Sequence, residues 1–421
     1  MFETLRNAWK LPELRKKLMF TAMVLLLYRI GNVIPVPYVN VDALKSMFDT
    51  VLGDTILGLY NAMSGSAFSQ ATVLALSIQP YINASIIIQL LTVAIPALER
   101  MAKEEGEEGK KKINVITRCT TVGLGLIMGW AFYSMLNSYG IITKTGFLPG
   151  LVIVLAFTAG SAVVMWLGEQ INEFGIGNGI SMILFANIIS GLPAGLNTLL
   201  HMGWWAILVT VVMVALVLFI IFVNDAERRI PIQYAKRVVG RKQYGGQSTH
   251  LPMKVNMSGV MPVIFASTIC GVPATIAGFA QPEQGSFWWN MTNEWFRPGA
   301  VAYIIIYVLL IFAFAYFYST IQFNPIEVAN NMKKNGGFIP GFRPGKPTSD
   351  FIKKVLNKIT MMGAIFLAII AALPLILSNI PSLGALAIGG TTTLIMVSVS
   401  LETVRAIEGE LMMRHYKGFL E

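Results

Sequence analysis

Residues 204–223 read WWAILVTVVMVALVLFIIFV, with no charged side chain anywhere in the run. About 20 mostly apolar residues suffice to carry an α-helix across a bilayer, so this stretch reads as a transmembrane span. Working outward, nine further stretches have the same character: 18–35, 72–96, 120–136, 148–168, 180–199, 260–280, 300–320, 359–377 and 383–404. The second and fifth in chain order are the least regular, because Pro80 and Pro193 interrupt them.

Composition agrees. Of the 421 residues 55% are hydrophobic and 13% charged, against about 45–50% and about 25% in an ordinary soluble domain. Too few charges remain to cover a water-facing surface. The mean hydropathy of +0.63 carries the same message. A soluble enzyme is excluded, and so is a disordered chain, which needs low hydrophobicity. The expected class is an all-α, polytopic membrane protein with ten transmembrane helices.

The Lys and Arg residues orient the spans. With the N-terminus in the cytoplasm, 28 of the 32 fall in segments 1–17, 97–119, 224–259, 321–358 and 405–421. The external segments hold only Lys45, Lys144 and Arg297, and Arg29 lies inside the first span. An odd number of spans would destroy this asymmetry, so both termini are expected in the cytoplasm. The net charge of +10 is then a one-sided basic face, suited to anionic headgroups, acidic protein or RNA. The charged N-terminal stretch leads into a span-length apolar run without a cleavage pattern, so an uncleaved amphipathic surface segment is expected there.

Three regions depart from a plain bundle. Residues 55–69, TILGLYNAMSGSAFS, are apolar but too short to cross, and small residues break them up. They read either as a half-helix dipping back into the membrane from outside or as an external amphipathic helix. Re-entrant backbone is tolerated only where protein buries it or a cavity lies beside it. The other two regions are the basic loops 224–259 and 321–358, with seven Lys and Arg each. Turn formers such as Gly245-Gly246, Gly336-Gly337, Pro340 and Pro344 make them structured projections.

Several chemistries are missing from the pattern. Cys119 and Cys270 form no CxxC pair, and His201, His250 and His415 are far apart, so no metal site or disulfide framework is readable. No phosphate-binding loop, Ser-His-Asp set or H-E-x-x-H motif occurs; the GIGNG run at 175–179 does not fit G-x-G-x-x-G. No cofactor is implied. Ion-coupled transporters need ionisable groups at membrane depth. Here Arg29 sits near an external end, where it can snorkel, and Glu169 and Glu402 sit near cytoplasmic ends. Gly125 and Gly129 form one G-x-x-x-G, a weak helix-packing signal. A passive channel fits better than a pump, with a secondary transporter or a poreless insertase as the rival readings.

Longer blocks are more specific. WLGEQINEFGIGNGISMILFANI (166–188) resembles the junction between the fourth and fifth spans of the SecY family of protein-conducting channels. PYI at 80–82 with SIIIQLL (85–91), RRIPIQYAKR (228–237), GGQSTHLPMKVNMSGVMPVIFAS (245–267) and FNPIEVANNMKKNGGFIPGFRPG (323–345) agree in the same order. The resemblance implies two inverted five-helix halves, residues 1–200 and 201–421, around a central pore. It implies an apolar pore ring at Ile78, Ile82, Ile180, Leu184, Ile264 and Ile395, with Leu184 where Ile is common. It makes residues 55–69 an external plug, centred on Tyr60, Asn61, Ala62, Met63, Ser64, Gly65, Ser66, Ala67 and Phe68. Spans two and seven become a lateral gate carrying Asn83 and Thr268; Asn83 could equally satisfy backbone groups freed near Pro80.

The basic loops become docking sites, through Arg241, Lys242, Arg343 and Lys346, for the motor SecA or for the ribosome and its RNA. The resemblance further implies the small membrane subunits SecE and SecG, substrates that are signal-bearing preproteins, and a place in the lipid bilayer of a bacterial plasma membrane. Its members are not enzymes.

Overall fold

The computed structural model describes residues 6, 8–52, 56–103, 105–201, 205–234, 237–239, 242–244, 248–280, 285–297, 299–377 and 389–417. Ten long helices fall at the ten predicted positions. They are α1 (Pro12–Gly31), α2 (Gln79–Ala94), α3 (Gly106–Ser138), α4 (Phe147–Phe174), α5 (Gly179–His201), α6 (Trp205–Asp225), α7 (Met261–Ala280), α8 (Val301–Gln322), α9 (Lys346–Leu377) and α10 (Gly389–Lys417).

By length and composition alone, five qualify as membrane spans: α3, α4, α6, α8 and α9. A sixth qualifies if α2 is joined to the helix Pro96–Lys103, but the chain bends by 105° between them. The shortfall has chemical causes. Lys16, Lys17 and Arg29 load α1, Glu402 to Glu410 load α10, and Pro193 and Pro273 cut the apolar runs of α5 and α7. α6 is the most lipid-like, with only 11% of its span window buried, whereas α9 has 61% buried and lies inside the bundle.

The first five helices pack on one another, α3 along α2 and α4, α1 against α4 and α5. In the second five, α8 lies between α7 and α9, and α10 touches α6 and α9. The two sets meet along two seams: α7 against α2 and α3, and α5 against α6 and α10.

Glycine sets the closest approaches. A β-carbon on Gly125 would stand 2.9 Å from Ser161 Oγ, and one on Gly129 would stand 3.3 Å from the Val154 carbonyl. The G-x-x-x-G therefore beds α3 on α4. At the turn between α4 and α5, Gly177 has φ +82°. A β-carbon on Gly179 would strike the Gly168 carbonyl, and the Gly179 N–H donates to Asn172 Oδ1 at 2.7 Å. The GIGNG run thus serves a tight backbone turn.

The second span differs from its predicted form. Residues 72–78 are turns, and the helix begins only at Gln79 with Pro80 in its first turn. Pro is well suited there because its missing N–H has no helical acceptor. The turns are buried between helices. Leu74 lies against Gly31, the Val73 carbonyl fills the space at Gly160, and the Val73 N–H donates to the Ile34 carbonyl at 2.9 Å. Ala71 and Ser77 take positive φ, +43° and +49°.

The two basic loops add a β element to an otherwise helical fold. Strands β1 (Glu227–Tyr234), β2 (Arg237–Val239), β3 (Lys242–Tyr244) and β4 (Ser248–Lys254) come from the first loop and β5 (Gly337–Phe338) from the second. β4, β1 and β5 form one antiparallel sheet, with Ile230 opposite Leu251 and Tyr234 opposite Gly337. Ile230, Ile232, Met253, Met332, Ile339, Ile352 and Leu356 give this unit its own apolar core. The helix Pro325–Lys334 shows why the second loop is ordered: Asn324 caps it, Glu327 lies in its first turn, and Lys333 and Lys334 lie in its last. The two predicted projections are therefore one body.

Candidate functional site

Four helices, two from each half, bring the ring candidates together. Ile78 and Ile82 come from the start of α2, Leu184 from α5, Ile264 from α7 and Ile395 from α10; all five are buried in the same apolar cluster. Ile180, one turn before Leu184, packs against that cluster while partly exposed. Ile78 is the N-cap residue of α2, so the broken second span delivers it from a turn. Gly168 on α4 lies beside it: a β-carbon there would make ordinary contact, 3.5 Å, with both Ile78 Cδ1 and Ile183 Cδ1.

Residues 55–69 hold a short helix, Ile56–Met63, followed by turns. Residue 55 and the side chains of Ala62 and Met63 lie outside the described residues. Asn61 and Ser64 tie the helix end together. Asn61 Oδ1 accepts from the Ser69 N–H at 2.9 Å, and its carbonyl accepts from the Ser66 N–H at 2.9 Å. Ser64 Oγ accepts from the Phe68 N–H at 3.1 Å. Gly65 and Ser66 both take φ +66°, which reverses the chain. Ala67 and Phe68 are then buried, with the Phe68 ring stacked 4.1 Å from that of Phe132 on α3. A largely apolar, partly open pocket lies between this segment and α3, lined by Tyr60, Phe68, Met128 and Phe132 among others.

The segment touches both halves. The Tyr60 hydroxyl sits in the space above Gly271 of α7. Asn32, just past α1, donates from Nδ2 to the Ser64 carbonyl at 3.5 Å. A β-carbon on Gly65 would stand 2.8 Å from Ser190 Oγ and 3.1 Å from Arg29 Nη1. Arg29 Nη1 is buried beside the segment, with no hydrogen-bond partner among the described residues. Next to it the Tyr28 hydroxyl lies 3.0 Å from Ser77 Oγ, which also accepts from Asn187 Nδ2 at 3.2 Å. Sequence reading missed this polar seat because its members come from α1, the turns before α2, and α5.

Asn83 lies on α2 and Thr268 on α7, two helices that touch. Thr268 Oγ1 and Asn83 Oδ1 are both buried without a hydrogen-bond partner among the described residues. The Asn83 amide nitrogen lies 3.7 Å from Met128 Sδ, a weak contact. Among the described residues no group of three or more His, Cys, Asp or Glu could hold a metal.

The sequence profile of the SecY family matches residues 72–404, four-fifths of the chain, from the turns before α2 into α10. The chain belongs to the SecY family. The SecY translocase subunits of Streptomyces coelicolor and Thermotoga maritima are 44% and 41% identical to it. Each alignment covers 100% of this chain, and 100% and 98% of those relatives. Among solved structures it resembles a protein-conducting channel (TM-score 0.66, 20% identity, 96% of each chain). It also resembles Sec61 from a canine ribosome–channel complex (TM-score 0.62, 18% identity, 96% of each chain). At these identities the structural likeness shows the fold.

In this SecY-family fold the basic face presents Arg343 rigidly. Gly341 and Gly345 flank it with φ +87° and +106°, the Thr348 hydroxyl donates to its carbonyl at 2.8 Å, and Phe342 packs 4.2 Å from Phe351. Its side chain and that of Lys346 are exposed. Arg241 lies outside the described residues; Lys242 begins β3, with its side chain outside them. In the same face the exposed Lys254 ammonium is pushed down from its ordinary value, first by partial desolvation and then by the charge of Arg405. Arg405 itself pairs with Asp225 at 2.5 Å.

Proposed function

We propose that the chain is the channel-forming subunit of a protein translocase, conducting unfolded polypeptide through the bundle and releasing apolar segments sideways into lipid. The observation that carries this reading is the convergence of Ile78, Ile82, Leu184, Ile264 and Ile395, from four helices of both halves, in one buried apolar cluster. Such a constriction carries no fixed charge, dewets when empty and accommodates side chains of varied shape. The chain does not catalyse bond chemistry itself; the driving energy comes from partners.

In this reading the six aliphatic residues form the pore ring, and residues 55–69 are the plug that seals it from outside. Residues 1–200 and 201–421 act as two halves hinged where α5 meets α6 and α10, opening where α2 and α3 meet α7. The basic face is cytoplasmic, with both termini on that side of the plasma membrane. Arg343, Lys346, Arg241 and Lys242 then meet SecA or the ribosome, whose carboxylates and phosphates suit a guanidinium fork. SecE and SecG complete the membrane complex.

Photocrosslinkers placed at Ile82 and Ile264 test the reading. A secretory chain stalled in transit is expected to be trapped from both positions. Trapping from lipid-facing α6 positions such as Val211, and from neither ring position, would overturn it.

A further inference from the structure

The connection between α7 and α8 contains a short helix whose composition does not suit a water-facing loop. Residues 285–293 read GSFWWNMTN, without a charged side chain. Ser286 caps the start, its Oγ accepting from the Trp289 N–H at 3.2 Å. One α-turn, Phe287–Asn290, runs on into a wider turn, Met291–Trp295. The Phe296 N–H closes that turn by donating to the Met291 carbonyl, five residues back, at 3.0 Å. In a regular α-helix a residue eight positions on stands about 80° away from the first. The wider turn reduces that offset and sets Trp295 beside Phe287. Their ring centroids are 5.8 Å apart, and Phe287 meets Trp288 at 6.0 Å, both edge to face.

The three rings pack on one another and still lie open. Phe287, Trp288 and Trp295 are 62%, 54% and 48% exposed. Behind them Trp289 and Met291 are half-buried, and Phe296 packs against the main apolar cluster. The helix is therefore fixed to the bundle with its aromatic side outward. Glu294 and Arg297, both exposed, supply the polar rim. Adjoining large rings without a charge among them make a surface that needs a partner.

Depth selects that partner. α8 runs for 22 residues from Val301 to the edge of the second basic loop, about 33 Å along its axis. The hydrocarbon core of a bilayer is about 30 Å thick. The aromatic helix thus stands at the membrane boundary opposite the basic face. It touches both α7 and α8. From that end α8 exposes Val301, Ile305 and Leu309, one residue per turn, as the lipid-facing side of a span. The aromatic patch adjoins a surface that lipid already covers, at headgroup level. Tryptophan suits that zone, because its ring is apolar while its indole N–H finds a headgroup or water acceptor.

We propose that the helix 287–295 is a lipid-interface anchor, with Phe287, Trp288 and Trp295 inserted at the headgroup–acyl boundary of the outer leaflet. The ligand is phospholipid, recognised by its interfacial zone and not by headgroup charge. The anchor ties the outer ends of α7 and α8 to the bilayer surface. The proposal rests on the reading given above that the basic face is cytoplasmic, which puts residues 281–300 outside.

The test uses the full chain with its membrane subunits in vesicles of phosphatidylcholine and phosphatidylglycerol. Cys119→Ser and Cys270→Ala remove the native thiols. A nitroxide is then attached at Trp288→Cys, at Glu294→Cys as the water-facing reference, or at Ile305→Cys as the lipid-facing one. Collision with oxygen, which concentrates in lipid, is compared with collision with a water-soluble nickel chelate. The oxygen-to-nickel ratio at 288 is expected to exceed that at 294 severalfold and to approach that at 305. A label at Phe287→Cys is expected to agree with 288, which guards against a local disturbance by either substitution.

A ratio at 287 and 288 equal to that at 294 would mean that the patch faces water, and would overturn the anchor. Shielding of both labels from oxygen and nickel alike would mean that protein covers the patch, and would overturn it too. An impermeant thiol reagent separates these failures from failure of the orientation. If it labels Glu294→Cys in right-side-out vesicles while 288 behaves as water-facing, the anchor alone is wrong. If it labels Glu294→Cys only in inverted vesicles, the external placement falls and the outer-leaflet anchor falls with it.

Discussion

The hydroxyl of Tyr60, on the short helix Ile56–Met63, fills the space that a β-carbon on Gly271 of α7 would occupy. The contact joins the proposed plug to the helix that carries Ile264 and Thr268. Alanine in a helix interior is ordinarily better than glycine by about 0.5–1 kcal/mol. Here Gly271→Ala is expected to act against the closed state, because overpacking of this kind costs about 1–3 kcal/mol. Ion leak through vesicles carrying the variant should exceed that of the parent severalfold, and adding Tyr60→Leu should reduce it again. A leak no greater than the parent's would remove the proposed coupling.

Gly65 is constrained twice. Its φ of +66° disfavours any residue with a β-carbon, and Ser190 and Arg29 stand where that carbon would go. Gly65→Ala should loosen the plug by about 1–3 kcal/mol from backbone strain and crowding together. Accessibility of a cysteine placed at Ser66 to an external thiol reagent should rise accordingly. Slower labelling than in the Gly65 parent would contradict the seat described for this turn.

Gly179→Ala tests the fold apart from the gate. The added carbon would meet the Gly168 carbonyl, a backbone atom that cannot swing aside. The expected destabilisation is about 2–4 kcal/mol, visible as a lower Tm for the purified protein. Gly123→Ala, where a β-carbon meets nothing within 4 Å, should leave Tm unchanged or slightly raised. Equal Tm values for both variants would mean that the turn between α4 and α5 relaxes.

Arg343 is exposed, and its loop is held by Thr348 and by the Phe342–Phe351 contact. Arg343→Glu should therefore leave stability within about 0.5 kcal/mol of the parent. It should cut motor-driven transport more than tenfold, while membrane insertion of the chain stays normal. Normal SecA-driven transport would sink the docking assignment. Phe342→Ala separates charge from posture, and its smaller loss of transport should come with a looser, protease-sensitive loop.

Much of this arrangement is legible in the sequence because a bilayer imposes a simple code. A run such as 204–223 has to be a helix, since no other open backbone satisfies its polar groups in lipid. The Gly125/Gly129 spacing foretold the bed of α3 on α4. Other features depend on partners distant in the chain. Nothing local to Gly337 announces that it pairs with Tyr234, so the joining of the two basic loops into one sheet was hidden. Residues 72–78 are apolar enough to extend a span, but Gly31 and Gly160 bury them as turns, and hydropathy does not encode that contact. Nothing local to Arg29 announces that its guanidinium lies beside Gly65. The ring candidates are aliphatics indistinguishable by composition from dozens of others, and only the family resemblance singled them out.

The central claim is a sealed pore, and single-channel conductance in planar bilayers tests it most directly. The intact chain in its membrane complex is compared with a form lacking residues 60–68. The account requires a closed intact channel and a deleted form that opens often, with wide conductance. Silence from both, with each shown to be folded and inserted, would contradict the plug and the pore together.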